Sequence, residues 1–536
     1  MQNKINRRSF VGGAALGATS ILGGALNQAL AANAKDGSAQ GPVANTTSGK
    51  VRGVVQENKV NAFRGIPYGA PTGGADRFMP PVKPEAWTGI KETVEWGPEA
   101  PQGPHTEIPE VAATIPKLAI GEDCLHLNVW TNGLDSRKRP VMLWLHGGGF
   151  ASGNGSYSMY DGANMARKRD VVTVTINHRL NSFGFLYLAD IGGEKFKNAT
   201  NCGMLDAVAA LEWVRDNIAN FGGDPNNVTI FGQSGGGGKV STLLAMPAAK
   251  GLFHRAIIQS GSNVKGISTE DATKTAHMLM EKVGVKTVEE LQQVPMDQLI
   301  AATLATRGLR LGPVVDGRTL PGGPFDPTAP AMSADVPLLI GTVEFEINFF
   351  PATKLDPIDD AELHAAVKQT THAGDAEVDK LIALYRKDRP NATPIDLSQI
   401  IVSDGFRSPV VTEGERKAAQ PAPVYMYYFT WKSPVRDGKL KAFHTLEIPF
   451  ALANVDESKS MTGSGADRYP LQEKMSGAWA AFARTGNPNH KGLPNWPVFK
   501  TDQRATMILD NQCKVVNDPY REERLALAAL RSGAQA

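Results

Sequence analysis

A chain of 536 residues that is 42% hydrophobic can bury a large core, and 56 Lys and Arg against 54 Asp and Glu leave a net charge of only +2. The first 32 residues hold Lys4, Arg7 and Arg8 and no acid, so without them the balance is −1 and no cationic face for nucleic acid is implied. Cys124, Cys202 and Cys513 are too few and too scattered for a disulfide scaffold or a metal cluster, and an odd count leaves at least one thiol free.

Residues 1–34 read as a targeting segment. Asn6-Arg7-Arg8-Ser9-Phe10-Val11 places paired arginines before a mildly apolar, Gly- and Ala-rich run with small-residue cleavage sites at 29–31 or 32–34, which resembles a bacterial twin-arginine export signal. No other stretch approaches the ~20 apolar residues needed to span a bilayer. A periplasmic or secreted protein without stable membrane association is therefore expected, with a polar linker over 35–48 and one folded domain over 49–536.

Within that domain, residues 49–68 alternate like a β-hairpin ending in Phe63-Arg64-Gly65-Ile66-Pro67-Tyr68, and 77–119 are proline-rich loop. Strands are expected at 125–130 and 141–145; the second is a nearly unbroken apolar run of the kind buried in a central sheet, and it leads straight into His146-Gly147-Gly148-Gly149-Phe150. Next come a strand at 171–177, a helix at 204–221 and a short strand at 228–231. After these, Gly232-Gln233-Ser234-Gly235-Gly236 makes a tight turn into another helix. Strands at 253–259 and 336–341 bracket helices at 271–283 and 288–303, which look like a cap inserted over the strand ends. A strand at 424–431 and a helix at 474–484 follow. Strands alternating with helices imply an α/β protein with a mostly parallel sheet.

Strand, sharp turn and helix around Ser234 describe a nucleophile elbow, in which the glycines are needed because a Cβ two residues either side of the serine would collide with its neighbours. Ser234 would be lifted clear of the backbone, with the Gly235 N–H aimed at a developing oxyanion. Such a serine needs a base and a group that orients the base. In the elbow fold these follow in the order Ser, acid, His, which confines the base to His254, His277, His364, His372, His444 or His490. His444 lies after the strand at 424–431, where topology wants it. For the acid, Glu344 and Glu346 both follow the strand at 336–341, and residues two apart in an extended loop face the same way, so spacing leaves both open. Gly148 and Gly149 in the glycine run could supply further oxyanion donors.

Several of these segments carry a resemblance. Phe63–Tyr68, Glu122-Asp123-Cys124-Leu125-His126-Leu127-Asn128-Val129, His146–Phe150 and the segment from Phe221 to Gly236 are similar to motifs of the type B carboxylesterases, the cholinesterase-like branch of the α/β-hydrolases. The segment Gly312-Pro313-Val314-Val315-Asp316-Gly317 and the block around His444 add to the match, which covers nearly all of residues 45 to 510. The resemblance implies an α/β-hydrolase fold with helical cap insertions and a cofactor-free serine esterase acting on a small-molecule ester through an acyl-enzyme. It implies Ser234 as nucleophile, His444 as base, Glu346 as acid, and Gly148, Gly149 and Gly235 as the oxyanion hole.

The sequence also departs from the family. Phe345 and Ile347 replace the usual Asp and Gly around the acid. Gln233 stands where Glu is common and Gly235 where Ala is common, so a charge that would favour a cationic substrate is missing. Ala100 replaces the cysteine that normally bridges to the position of Cys124, so that disulfide is not expected. Arg307 and Leu309, with Arg310, fall in the segment that lines the acyl pocket in relatives. This suggests an acyl group bearing its own carboxylate, as in fumonisin-type tricarballylate esters or phthalate half-esters. The competing readings are a non-catalytic binding protein of the same family, which would lack the serine or its partners, and an acyltransferase or lactonase using the same residues. The sequence leaves oligomeric state open.

Overall fold

The computed structural model describes residues 41–106, 108–350 and 352–533. The expected export signal and residues 35–40 of the expected linker lie outside them. From Pro42 onward the chain forms one compact unit, and it begins inside the expected linker, because Val43–Thr46 pairs antiparallel with Gly49–Arg52. Residues 49–68 are not one hairpin. Gly49–Arg52 joins the small sheet with Ile90–Glu92, and the hairpin proper is β1 (Val54–Val55) with β2 (Asn61–Pro67). The chain divides at Gly53, where a Cβ would lie 2.5 Å from the Ala62 carbonyl oxygen.

The main sheet continues with β3 (His126–Thr131), β4 (Arg139–Leu145), β5 (Val172–Ile176), β6 (Gly223–Gln233), β7 (Arg255–Gln259), β8 (Leu338–Val343), β9 (Val424–Phe429), β10 (Ala505–Leu509) and β11 (Lys514–Asn517). Its spatial order is β11-β10-β9-β8-β7-β6-β4-β5-β3-β2-β1. The seven strands from β10 to β5 are mutually parallel, with antiparallel strands at both edges.

Apolar runs form these strands because both faces are covered. Val141, Leu143 and Leu145 of β4 enter one core cluster, and Met142 and Trp144 enter the other; this is the two-residue alternation of a pleated strand. Helix α1 (Cys202–Asn217) and helix α2 (Gly235–Leu244) cover the first face, and helix α3 (Arg468–Thr485) packs on the second. The carboxyl ends of β4, β6, β8 and β9 all point to one edge of the sheet, where a parallel α/β sheet places its ligands.

The cap is larger than its sequence suggests. Besides Thr269–Val283, Val288–Gln293 and Met296–Ala305, it has helices Asp360–Thr371, Asp375–Asp388 and Pro394–Ala418. Two of these announce themselves locally, since Asp359 with Glu362 and Thr393 with Asp396 form capping boxes. The expected helix at 288–303 is broken at Val294 and Pro295, which has no N–H to continue the first helix.

Candidate active site

β6 delivers the chain to Ser234 and α2 carries it away. Ser234 sits at φ 57° and ψ −124°, outside the regions that suit L-residues. Its N–H is held by the Gln259 carbonyl at 2.8 Å, and its own carbonyl accepts from Gly238 N–H at 3.0 Å to start the helix. The glycines are required sterically: a Cβ on Gly232 would meet Leu145 O at 2.6 Å, and one on Gly236 would meet it at 2.0 Å.

The acid and base loops are joined by a parallel bridge between Phe345 and Phe443, with Phe345 N–H donating to Ala442 O at 3.0 Å. The residues one step beyond the bridge, Glu346 and His444, therefore lie side by side. His444 Nδ1 donates to Glu346 Oε2, with the imidazole 2% exposed and the carboxylate 0%. Glu346 Oε1 accepts from Val343 N–H at 3.1 Å.

Glu344 does not share this face. Phe345, at ψ 60°, turns the chain into a 3-10 turn, so the extended spacing expected of the two glutamates is lost. Glu344 instead lies 3.7 Å from Lys432 Nζ in a separate cleft with Asp388, Asp467 and Asp510, and burial raises its pKa.

The other face of His444 looks into a cavity of about 150 Å3 lined by Ser234, Gly147, Gly148, Gly149, Tyr157 and Phe349, among others. Phe349, Phe350 and Phe406 surround the imidazole at 5.4, 5.9 and 5.9 Å between ring centres. His444 Nε2 is 3.2 Å from Gln233 Nε2, so in this state its lone pair faces an amide donor rather than the Ser234 hydroxyl. The replacement of Glu by Gln next to the serine thus reaches the base directly.

Gly148 and Gly149 adopt φ +88° and +63°. A trans peptide points the N–H of one residue opposite to the carbonyl before it. Here His146 Nδ1 donates to Gly147 O at 2.8 Å, while Ala151 and Ser152 N–H donate to Gly148 O at 3.2 and 3.1 Å. Both carbonyls are thereby turned away, and the Gly148 and Gly149 N–H groups are left facing the opposite side. Burial holds the pKa of His146 well below that of a free imidazole, in keeping with a neutral ring donating one hydrogen bond.

Beside the Glu346–His444 pair lies a carboxyl that sequence reasoning did not single out. Glu447, three residues after His444, is fully buried, and burial followed by the proximity of Glu346 pushes its pKa up to about 7.

Arg307 and Leu309 are not brought to the cavity. Arg307 is exposed, Arg310 pairs with Asp271 of the cap helix Thr269–Val283, and Leu309 packs against the Phe78 and Phe183 cluster. Among the described residues no three His, Cys, Asp or Glu side chains gather as a metal site would require. All three cysteines are free, as the alanine at position 100 implied for Cys124.

The model of the carboxylesterase family matches residues 40–528. The para-nitrobenzyl esterase of Bacillus subtilis (strain 168) is 36% identical over 497 residues, spanning 90% of this chain and 98% of that one. The phenmedipham hydrolase of Pseudarthrobacter oxydans is 32% identical, over 91% of this chain and 99% of its own. Among solved structures, a carboxylesterase of Geobacillus stearothermophilus superposes with a TM-score of 0.79 at 38% identity, covering 90% of this chain and 99% of that chain.

Proposed function

The chain belongs to the carboxylesterase family, has its α/β-hydrolase fold and is a carboxylic ester hydrolase; from this premise we propose that it is a serine esterase working through an acyl-enzyme on Ser234. His444 Nε2 takes the Ser234 proton as Oγ attacks the ester carbonyl, displacing the Gln233 amide from the same lone pair. Glu346 keeps Nδ1 protonated and stabilises the imidazolium that forms. The N–H groups of Gly148, Gly149 and Gly235 receive the oxyanion. His444 then protonates the leaving alkoxide, and the same imidazole activates water to release the acid. The observation that carries this reading is the buried Glu346–His444 pair one step past the Phe345–Phe443 bridge, opening onto a cavity shared with Ser234.

The alcohol departs toward His444, and so against Phe349 and Phe350, which line the cavity. Among the described residues no Lys or Arg lines it, so a carboxylate-bearing acyl group meets no described guanidinium there. The substrate class supported best is a neutral ester with an aromatic or compact apolar alcohol, and the name of the relative, para-nitrobenzyl esterase, denotes an alcohol of that kind.

Ser234→Ala should leave a folded protein without p-nitrophenyl or benzyl ester turnover, and a fluorophosphonate should add one adduct mass to the peptide holding Ser234. Turnover by the alanine variant, or labelling elsewhere, would refute the assignment. Export through Arg7 and Arg8 is proposed on the sequence alone. Replacing both by Lys should keep the protein inside a bacterial host, and undiminished periplasmic activity would argue against it.

A further inference from the structure

α2 carries a lysine with no part in the mechanism above. Lys239 lies five residues after Ser234 on the helix the serine begins, and it is 1% exposed. Its Nζ donates to His146 O at 3.0 Å and to Gly149 O at 2.8 Å, and lies 5.4 Å from the Phe150 ring centre. It has no carboxylate partner among the described residues. His146, His178 stacked on it at 4.7 Å, and Arg179 beyond supply the charged or titratable groups facing it from the adjoining loops. Burial alone brings the amine down to about 7.

A buried amine without a counter-charge is costly compared with an apolar side chain of the same length. What it holds explains its presence. The two inner carbonyls of the glycine loop, Gly147 O and Gly148 O, are fixed from within the loop by His146 and by Ala151 and Ser152. The two outer carbonyls, His146 O and Gly149 O, are fixed by Lys239. The loop is thus one preformed unit, and Lys239 attaches both of its ends to the helix that bears Ser234. Gly235 completes the fit by leaving room for Gly149 O, which a Cβ would approach to 2.0 Å.

We propose that Lys239 is a positioning residue for the oxyanion hole, clamping the donor loop at the height above Ser234 where its N–H groups meet the tetrahedral intermediate. This rests on the Ser234 reading of the previous section. Because donors act most strongly on charge that develops in the transition state, the clamp shows in kcat and in transition-state affinity, and little in ground-state binding.

The test compares the full-length enzyme with Lys239→Met, which keeps the stem and removes the donors, and with Lys239→Ala, assayed with and without propylamine. The expected result for Met is a kcat on p-nitrophenyl acetate lower by about 100-fold, with KM within threefold. Affinity for an alkyl trifluoromethyl ketone, which forms an oxyanion with the serine, should fall by a similar factor, while inhibition by the product alcohol stays unchanged. Propylamine, but not the isosteric propan-1-ol, should restore part of the Ala variant's kcat. If Met fails to fold, the Lys239→Ala variant with and without propylamine gives the comparison, since the added amine supplies the donors that the variant lacks.

Unchanged kcat and ketone affinity in a folded variant would overturn the proposal. So would losses in kcat that track thermal stability with no amine rescue, since a merely structural lysine behaves that way. Fluorophosphonate labelling of wild-type Ser234 separates the two readings: without it the serine mechanism fails, and with it only the role of Lys239 is at stake.

Discussion

A methyl group added to Gly235 would have nowhere to go. Its carbon would stand 2.0 Å from Gly149 O and 2.4 Å from Gly149 C. Restoring even a tight 3.0 Å contact requires the donor loop to retreat by about 1 Å. Alanine is the better helix former by roughly 1 kcal/mol, so Gly235→Ala gives α2 no reason to unfold. The strain must therefore be relieved by moving the loop. A displacement of ~1 Å at a donor set is worth about 10²-fold in rate, or roughly 2.7 kcal/mol of barrier. Steady-state kinetics on p-nitrophenyl acetate should show that loss in kcat with KM nearly unchanged, and circular dichroism should show a native fold. A folded Gly235→Ala enzyme with kcat within twofold of wild type would mean that contact at residue 235 does not set the height of the loop.

Exchanging the two neighbouring glutamates separates their roles. Glu346→Gln removes the charge facing the imidazole and should cost roughly 10⁴ in kcat, whereas Glu344→Gln should leave kcat within a few fold; the reverse order, read from the same ester assay, would move the acid to Glu344. Glu447 makes stability depend on pH. Its folded pKa of about 7 lies above the ordinary glutamate value of 4.5, so folding favours its protonated form and that contribution is lost as pH rises from about 4.5 through 7. Glu447→Gln should therefore raise the denaturation midpoint relative to wild type at pH 8, by up to ~3 kcal/mol of stability, and gain nothing at pH 4.5. Urea melts at the two pH values measure this, and an equal gain at both would contradict it.

What could be read from the chain and what could not divide along the range of the interactions involved. The elbow was legible because Gly232, Ser234 and Gly236 meet one another and the end of β4 through geometry that the local sequence dictates. Glu346 could not be separated from Glu344 in the same way, because the choice is made by a bridge to Phe443, about a hundred residues away. Only resemblance to relatives places Arg307 and Arg310 at the acyl pocket, but the cap helix supplies Asp271, and an exposed ion pair holds Arg310 away from the cavity. Lys239 escaped notice because lysine on a helix is normally a surface residue, and only the carbonyls of the glycine loop make its burial tolerable. The cap helices over 360–418 left capping boxes in the sequence, but their weak amphipathic pattern hid their extent.

The Phe345–Phe443 bridge also fixes when activity can begin. A ribosome that has released 400 residues has already produced the elbow, the donor loop and both candidate acids, but none of the strand that leads to the base. The carboxylate at 346 then has no imidazole to orient, and the serine has no base. On the proposed serine mechanism, catalysis awaits β9 and the loop behind it, more than four-fifths of the way along the chain. Ester turnover is accordingly a late reporter: in refolding or in synthesis it should rise only after the sheet has closed around its last parallel strands, well behind any signal from the core tryptophan Trp144 of β4.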